Sequence, residues 1–231
     1  MSLRRVRVAL TPPAPDSLAR DACAAVIDVL RATTTLAVAL ANGAVRVVAF
    51  ASAAEALAFR DAHDGAIACG ERDGRIVPGF DLGNSPAEYT RERVQGRTLA
   101  FASTNGSRAL LAASRCRRRL LASFANFSAT LAALAREPDV WIVCAGKLGG
   151  FALEDAACAG TLAAALARQG ATLANAEARL AATLACDDTD AVRAVVTGSD
   201  HGRWLASLGE QFAEDVRYCA EQDGLATFAE W

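Results

Sequence analysis

Apolar and polar residues alternate over residues 4–10, which predicts a strand. Pro12, Pro13 and Pro15 then impose an extended connection. Residues 22–29 are apolar almost without interruption, broken only by Asp28, the pattern of a strand buried on both faces. A helix is predicted over 33–42, stopped by Asn42-Gly43. A strand follows over 45–50, then a helix from Ser52 to about His63, with Glu55 placed for a capping box. Residues 66–69 form a short strand that enters a long loop over 70–84, rich in Gly, Asp and Pro. Ser85, Pro86 and Glu88 carry the cap, N1 and N3 signals of a helix start. Strands over 98–102, 119–122 and 140–145 alternate with helices over 105–114, 126–136 and 153–168. Beyond Thr172 the pattern is helical, with breaks at Gly198 and Gly209.

This alternation predicts a three-layer α/β/α fold with a mostly parallel or mixed sheet and a helical C-terminal third. No fixed-period repeat or low-complexity linker divides the chain, so residues 1–231 read as one domain. With 53% apolar and 22% charged residues, a sizeable core is assured and disorder is excluded.

A net charge of −2 gives neither a nucleic-acid nor a membrane-surface footprint. The one basic cluster, Arg115, Arg117, Arg118 and Arg119, reads as a solvated helix end. No signal segment and no long uncharged apolar stretch is visible. The seven cysteines lack metal spacing and read as buried free thiols in a reducing cytoplasm. Of 24 basic residues only Lys147 is a lysine, and it falls in one of the loops considered next.

Ligands of open α/β sheets bind at the carboxyl ends of strands. The first such loop runs from Asp28 through Arg31 to Thr33 and Thr34, where an acid and an arginine precede hydroxyls opening a helix. Free N–H groups there would bind an anion, and Asp28 would repel it unless a cation such as Mg²⁺ bridged them. Equally, the threonines could simply cap the helix while Asp28 pairs with Arg31. A second loop carries Glu71, Arg72, Asp81 and Asn84. A third, Ser103 to Ser107, offers Thr104, Asn105 and Gly106, and Ser123 to Asn126 is similar in type, with an ordinary N-cap the better reading of Asn126. The fourth contains Gly146 and Lys147 and ends in Glu154-Asp155 at a helix start. It matches neither a Walker loop nor a dinucleotide fingerprint. His63 and His201 lie far apart among surface-type residues and read as exposed, which argues against a catalytic triad or a zinc site.

The segments V-I-D-V-L-R-A-T-T-T, G-E-R, P-G-F-D-L-G-N-S-P, T-N-G-S, S-F-x-N and C-A-G-x-x-G-x-F-x-L-E-D occur in this order. Together they resemble the 2-phosphosulfolactate phosphatase family of coenzyme M biosynthesis, from about residue 24 to 160, with a weaker continuation at Asp215-Val216-x-Tyr218-Cys219. The resemblance implies a Mg²⁺-dependent phosphatase of a phosphorylated sulfo acid, with no nucleic-acid or membrane partner, and admits a homo-oligomer. On it, Asp28, Arg31, Glu71 and Asp155 are expected to be catalytic. Asp28, Glu71, Glu154 and Asp155 are expected to hold Mg²⁺. Thr33, Thr34, Arg72, Asn84, Thr104, Asn105, Gly106, Ser123, Asn126 and Gly146 are expected to bind substrate, with Arg31 or Arg72 meeting its second anionic group. Asp28 is either a metal ligand or a nucleophile. A phosphotransferase and a non-catalytic anion binder are the rival readings.

Overall fold

The computed structural model describes residues 4–14 and 17–231; Pro15 of the predicted proline connection lies outside them. The chain begins with β1 (Arg5–Ala9), β2 (Cys23–Ile27), α1 (Ala32–Ala41), β3 (Arg46–Ala49), α2 (Ala53–Ala62) and β4 (Ala66–Arg72). It continues with β5 (Arg75–Ile76), α3 (Arg91–Val94), β6 (Thr98–Ala102), α4 (Gly106–Ala113), β7 (Arg118–Ala122) and α5 (Phe127–Leu134). Then come β8 (Asp139–Cys144), α6 (Leu153–Arg168), β9 (Thr172–Leu173) and α7 (Ala176–Ala182). The last part holds α8 (Thr189–Gly198), α9 (Asp200–Ala206), α10 (Glu210–Cys219) and β10 (Ala229–Glu230).

The strands form two sheets rather than the single one expected. The larger has the order β10-β7-β2-β8-β1-β9 and is parallel except for β10. The smaller has the order β3-β6-β4-β5 and is parallel except for β5. The two-residue strands β5, β9 and β10 have no periodicity to read, and strand order is set by tertiary packing, so local pattern could not separate the sheets.

β2 is buried along its whole length, as its apolar run predicts. Cys23, Ala25 and Ile27 pack with α5 and α6 on one face, while Ala24 and Val26 pack with α1 and α4 on the other. This gives the α/β/α layering. The far side of α1 and α4 is closed by Val47, Cys69, Leu99 and Phe101 of the smaller sheet, so α1 is buried from Ala32 to Ala39. Outside that sheet, Ala56 of α2 packs on Ala68, Ala100 and Ala102. The Ser52–Glu55 capping box of α2 forms as its sequence predicts.

Two local expectations are corrected. Ser85 and Glu88 do not cap an α-helix: Pro86–Glu88 is a single 3₁₀ turn. The Ser85 hydroxyl donates instead to Asp215 at 2.6 Å, and Glu88 accepts from the Gly83 amide. The basic cluster is not a solvated helix end, because Arg118 and Arg119 open β7 and Arg117 and Arg118 both pair with Glu137. The cysteines are free thiols, all buried except the half-buried Cys186. Burial pushes the thiols of Cys23 and Cys69 up to about 12, which keeps them inert. Among the described residues no helix is long and apolar enough to cross a membrane.

Candidate active site

β2, β7 and β8 run parallel, as do β4 and β6, so their carboxyl ends deliver the polar loops to neighbouring positions. There lies a cavity of about 310 Å³, a size suited to a small metabolite. Asp28, Arg31, Glu71, Asn84, Thr104 and Asn105 line it. Its wall is completed by Leu30, Asp73, Gly74, Lys147 and Leu148, and by His201, Trp204 and Leu205 of α9.

Asp28 stands at the end of β2. Its Oδ1 accepts from the Ala32 amide at 3.1 Å, and Thr33 Oγ1 fixes its backbone by accepting from the Asp28 amide at 2.8 Å. The same hydroxyl donates to Ala122 O at 2.7 Å, binding the loop to β7. Thr34 Oγ1 donates to Val29 O at 3.0 Å. Both threonines are therefore structural latches outside the cavity wall. The Ala32, Thr33 and Thr35 amides are engaged within the loop, so these three N–H groups at the start of α1 are not free to bind an anion.

The Asp28 Oδ2 side is kept clear by Gly106. A Cβ on that glycine would lie 2.7 Å from Asp28 Oδ2 and 2.5 Å from the Ala32 Cβ. Glycine is required here by close approach, not by backbone conformation.

Glu71 and Asp155 act as clamps. Glu71 accepts from the Thr104 amide at 2.7 Å and the Gly74 amide at 2.8 Å, joining β4 to the loops after β6 and β4. Asp155 accepts from the Val29 amide at 2.8 Å and the Gly146 amide at 3.0 Å, tying the loops after β2 and β8 to α6. Asp155 and Gly146 lie behind the wall rather than in it. Ser123 and Asn126 are buried and bonded to each other and to Leu121, away from the cavity. Asp81 is exposed and accepts from the Ala68 amide.

The arginines differ from expectation. Arg31 is buried, with Nη1 2.5 Å from Asp215 and Nη2 2.6 Å from Gly74 O, so its charge is already matched. Arg72 bonds to the Glu71 carbonyl at 3.3 Å and is not among the residues that line the cavity.

His201 is the main correction. It is not a surface histidine: it is 11% exposed, lines the cavity, and its Nδ1 lies 3.1 Å from Glu154 Oε1. His63 is exposed, as expected. His201, Trp204 and Leu205 share one face of α9 by i, i+3, i+4 spacing. That spacing was the available signal. The Asp73-Gly74 hairpin carried a signal too, since both residues have the positive φ of a type I′ turn.

Four acids thus crowd one region. Burial raises the Asp28 pKa to about 6; His201 and the Ala32 amide oppose the rise, and Glu71 and Glu154 add to it. Asp155 is pushed well above the usual range by burial and by the charges of Asp28 and Glu154. Among the described residues, buried side-chain oxygens without a hydrogen-bond partner include Glu154 Oε2 and Asn84 Oδ1. An all-oxygen set with unpartnered atoms and mutually repelling carboxylates suits a hard divalent cation. Among the described residues no group of three or more Asp, Glu, His or Cys side chains is arranged to hold an ion alone. The fit is therefore to a cation that takes one or two carboxylates and keeps water. Asp28 and Glu154 are the acids with an oxygen not already engaged by a backbone amide.

A family model described as 2-phosphosulpholactate phosphatase matches residues 10–230. The chain belongs to this family. Its relatives include three proteins each named probable 2-phosphosulfolactate phosphatase. The one from Thermotoga petrophila is 38% identical over 91% of this chain and 89% of its own length. That from Synechocystis sp. is 40% identical over 90% and 88%, and that from Symbiobacterium thermophilum 41% over 91% and 90%. The six motifs that carried the resemblance all fall within the matched residues 10–230 of the 2-phosphosulpholactate phosphatase family.

Proposed function

We propose that this chain hydrolyses the phosphate monoester of 2-phosphosulfolactate, or of a closely related phosphorylated hydroxy acid, with Mg²⁺ as cofactor. The observation that carries the reading is the buried Asp28 carboxyl at the floor of a small cavity, pushed up by burial and by neighbouring acids. A dianionic phosphate could not enter beside those acids without a counter-cation.

Asp28 would hold the ion, with Glu154, which lines an adjoining pocket rather than this cavity, as its candidate second ligand; when bound, the ion would neutralise phosphoryl oxygens and lower the pKa of attacking water. Arg31 supplies a fixed guanidinium. Two of its five donors go to Asp215 and Gly74, leaving others for the substrate. Asn84, Thr104 and Asn105 add neutral polar groups to the wall. Because the Glu71 and Asp155 clamps fix the loops before substrate arrives, little reorganisation is needed in the transition state. Leu30, Leu205 and Trp204 give the cavity an apolar side that limits water.

The test is phosphate release from 2-phosphosulfolactate by the purified protein, in Mg²⁺ and in excess chelator. Release that depends on Mg²⁺ is expected. Full activity in chelator removes the cation from the account, and absence of release under both conditions removes the substrate.

A further inference from the structure

We propose that Lys147, steadied by Trp204, recognises the sulfonate of the substrate; this rests on the reading of the cavity as a phosphosulfo-acid site. Among the described residues, the cavity wall has two side chains of fixed positive charge, Arg31 and Lys147, and one histidine, His201. Arg31 is matched by Asp215 and His201 is bonded to Glu154. Among the described residues no carboxylate stands within ion-pair distance of Lys147, whose contact is the Trp204 ring, 3.9 Å from Nζ to centroid. A ring face steadies an ammonium without using its N–H donors.

The backbone delivers this ammonium rigidly. Lys147 and Gly150 exchange two hydrogen bonds of 2.9 Å across a two-residue turn, with Leu148 and Gly149 at φ 51° and 86°. The Leu148 amide donates to Asn105 Oδ1 at 3.0 Å, fastening the tip of the turn to the loop before α4. Gly146 enters the turn at φ 62°, where a Cβ would meet Gly150 O at 2.2 Å. The sole lysine of the chain is thus held at the cavity by a turn bonded to the loop before α4. A compact ammonium with three rotatable donors suits a tetrahedral sulfonate, whereas the planar guanidinium of Arg31 suits a carboxylate.

The test compares 2-phosphosulfolactate with 2-phospholactate, which keeps the phosphate and carboxylate but lacks the sulfonate. Lys147→Met should lower the preference for the sulfonated substrate, read as the ratio of kcat/KM values, about tenfold or more through KM. Lys147→Arg should recover part of it. Trp204→Ala should raise KM for the sulfonated substrate, and Trp204→Phe should restore it. An unchanged ratio in Lys147→Met overturns the proposal. Calorimetry with sulfolactate and lactate reads the same subsite without turnover. Selective loss of sulfolactate binding in Lys147→Met supports the subsite even if phosphate release fails. Equal binding of the two ligands by the wild type overturns it.

Discussion

Asp28 sets the pH behaviour of the site. Its pKa rises from the ordinary 3.8 to about 6 on folding, so the folded state holds this proton more tightly than the unfolded state does. Its contribution to stability is therefore greatest below pH 3.8 and is lost as pH rises through about 6. In chelator, urea unfolding should show Asp28 alone costing up to about 3 kcal/mol across that window. In Asp28→Asn the part of the slope that Asp28 contributes should vanish. Added Mg²⁺ should offset the loss in the wild type, because a cation favours the ionised form. The second buried charge is the Arg31–Asp215 pair. Removing Asp215 leaves Arg31 uncompensated, so Asp215→Ala should destabilise by about 3–5 kcal/mol in chemical denaturation. Asp28 was legible in the sequence, since an acid at the end of a wholly apolar run stands out. Asp215 came only as a weak extension of the resemblance, because its meaning depends on partners that are far away in the chain.

The elements meet at the site through short, checkable contacts. Gly106 at the head of α4 makes room for Asp28, so Gly106→Ala should depress kcat at least tenfold while circular dichroism reports a retained fold. Ser199 caps α9 by accepting from the Gly202 amide at 2.9 Å. Ser199→Ala should cost about 1 kcal/mol in thermal or urea unfolding and should raise KM by loosening His201 and Trp204. Helices with long periodic patterns, such as α6, were readable to the residue. The wall built by α9 was not, because its seven residues pack on the cavity by tertiary contact and carry no motif. The helix start read at Ser85 failed for a related reason: Asp215 on α10 took the hydroxyl that would have made the cap.

At the scale of the molecule, two sheets and the C-terminal helices close on one cavity. The larger sheet contributes Asp28, the smaller contributes Glu71 and Thr104, and α9 supplies His201 and Trp204. The alternation of strands and helices made the α/β layering legible. The division into two sheets was not, since β5, β9 and β10 are two residues each. This convergence, with a cation held at Asp28 above a phosphoryl group, is the central claim. The measurement that tests it most directly is kcat/KM for phosphate release from 2-phosphosulfolactate at saturating Mg²⁺, wild type against Asp28→Asn. The account predicts a loss of about a thousandfold or more in a folded variant. Near-normal Mg²⁺-dependent turnover by that variant would contradict it.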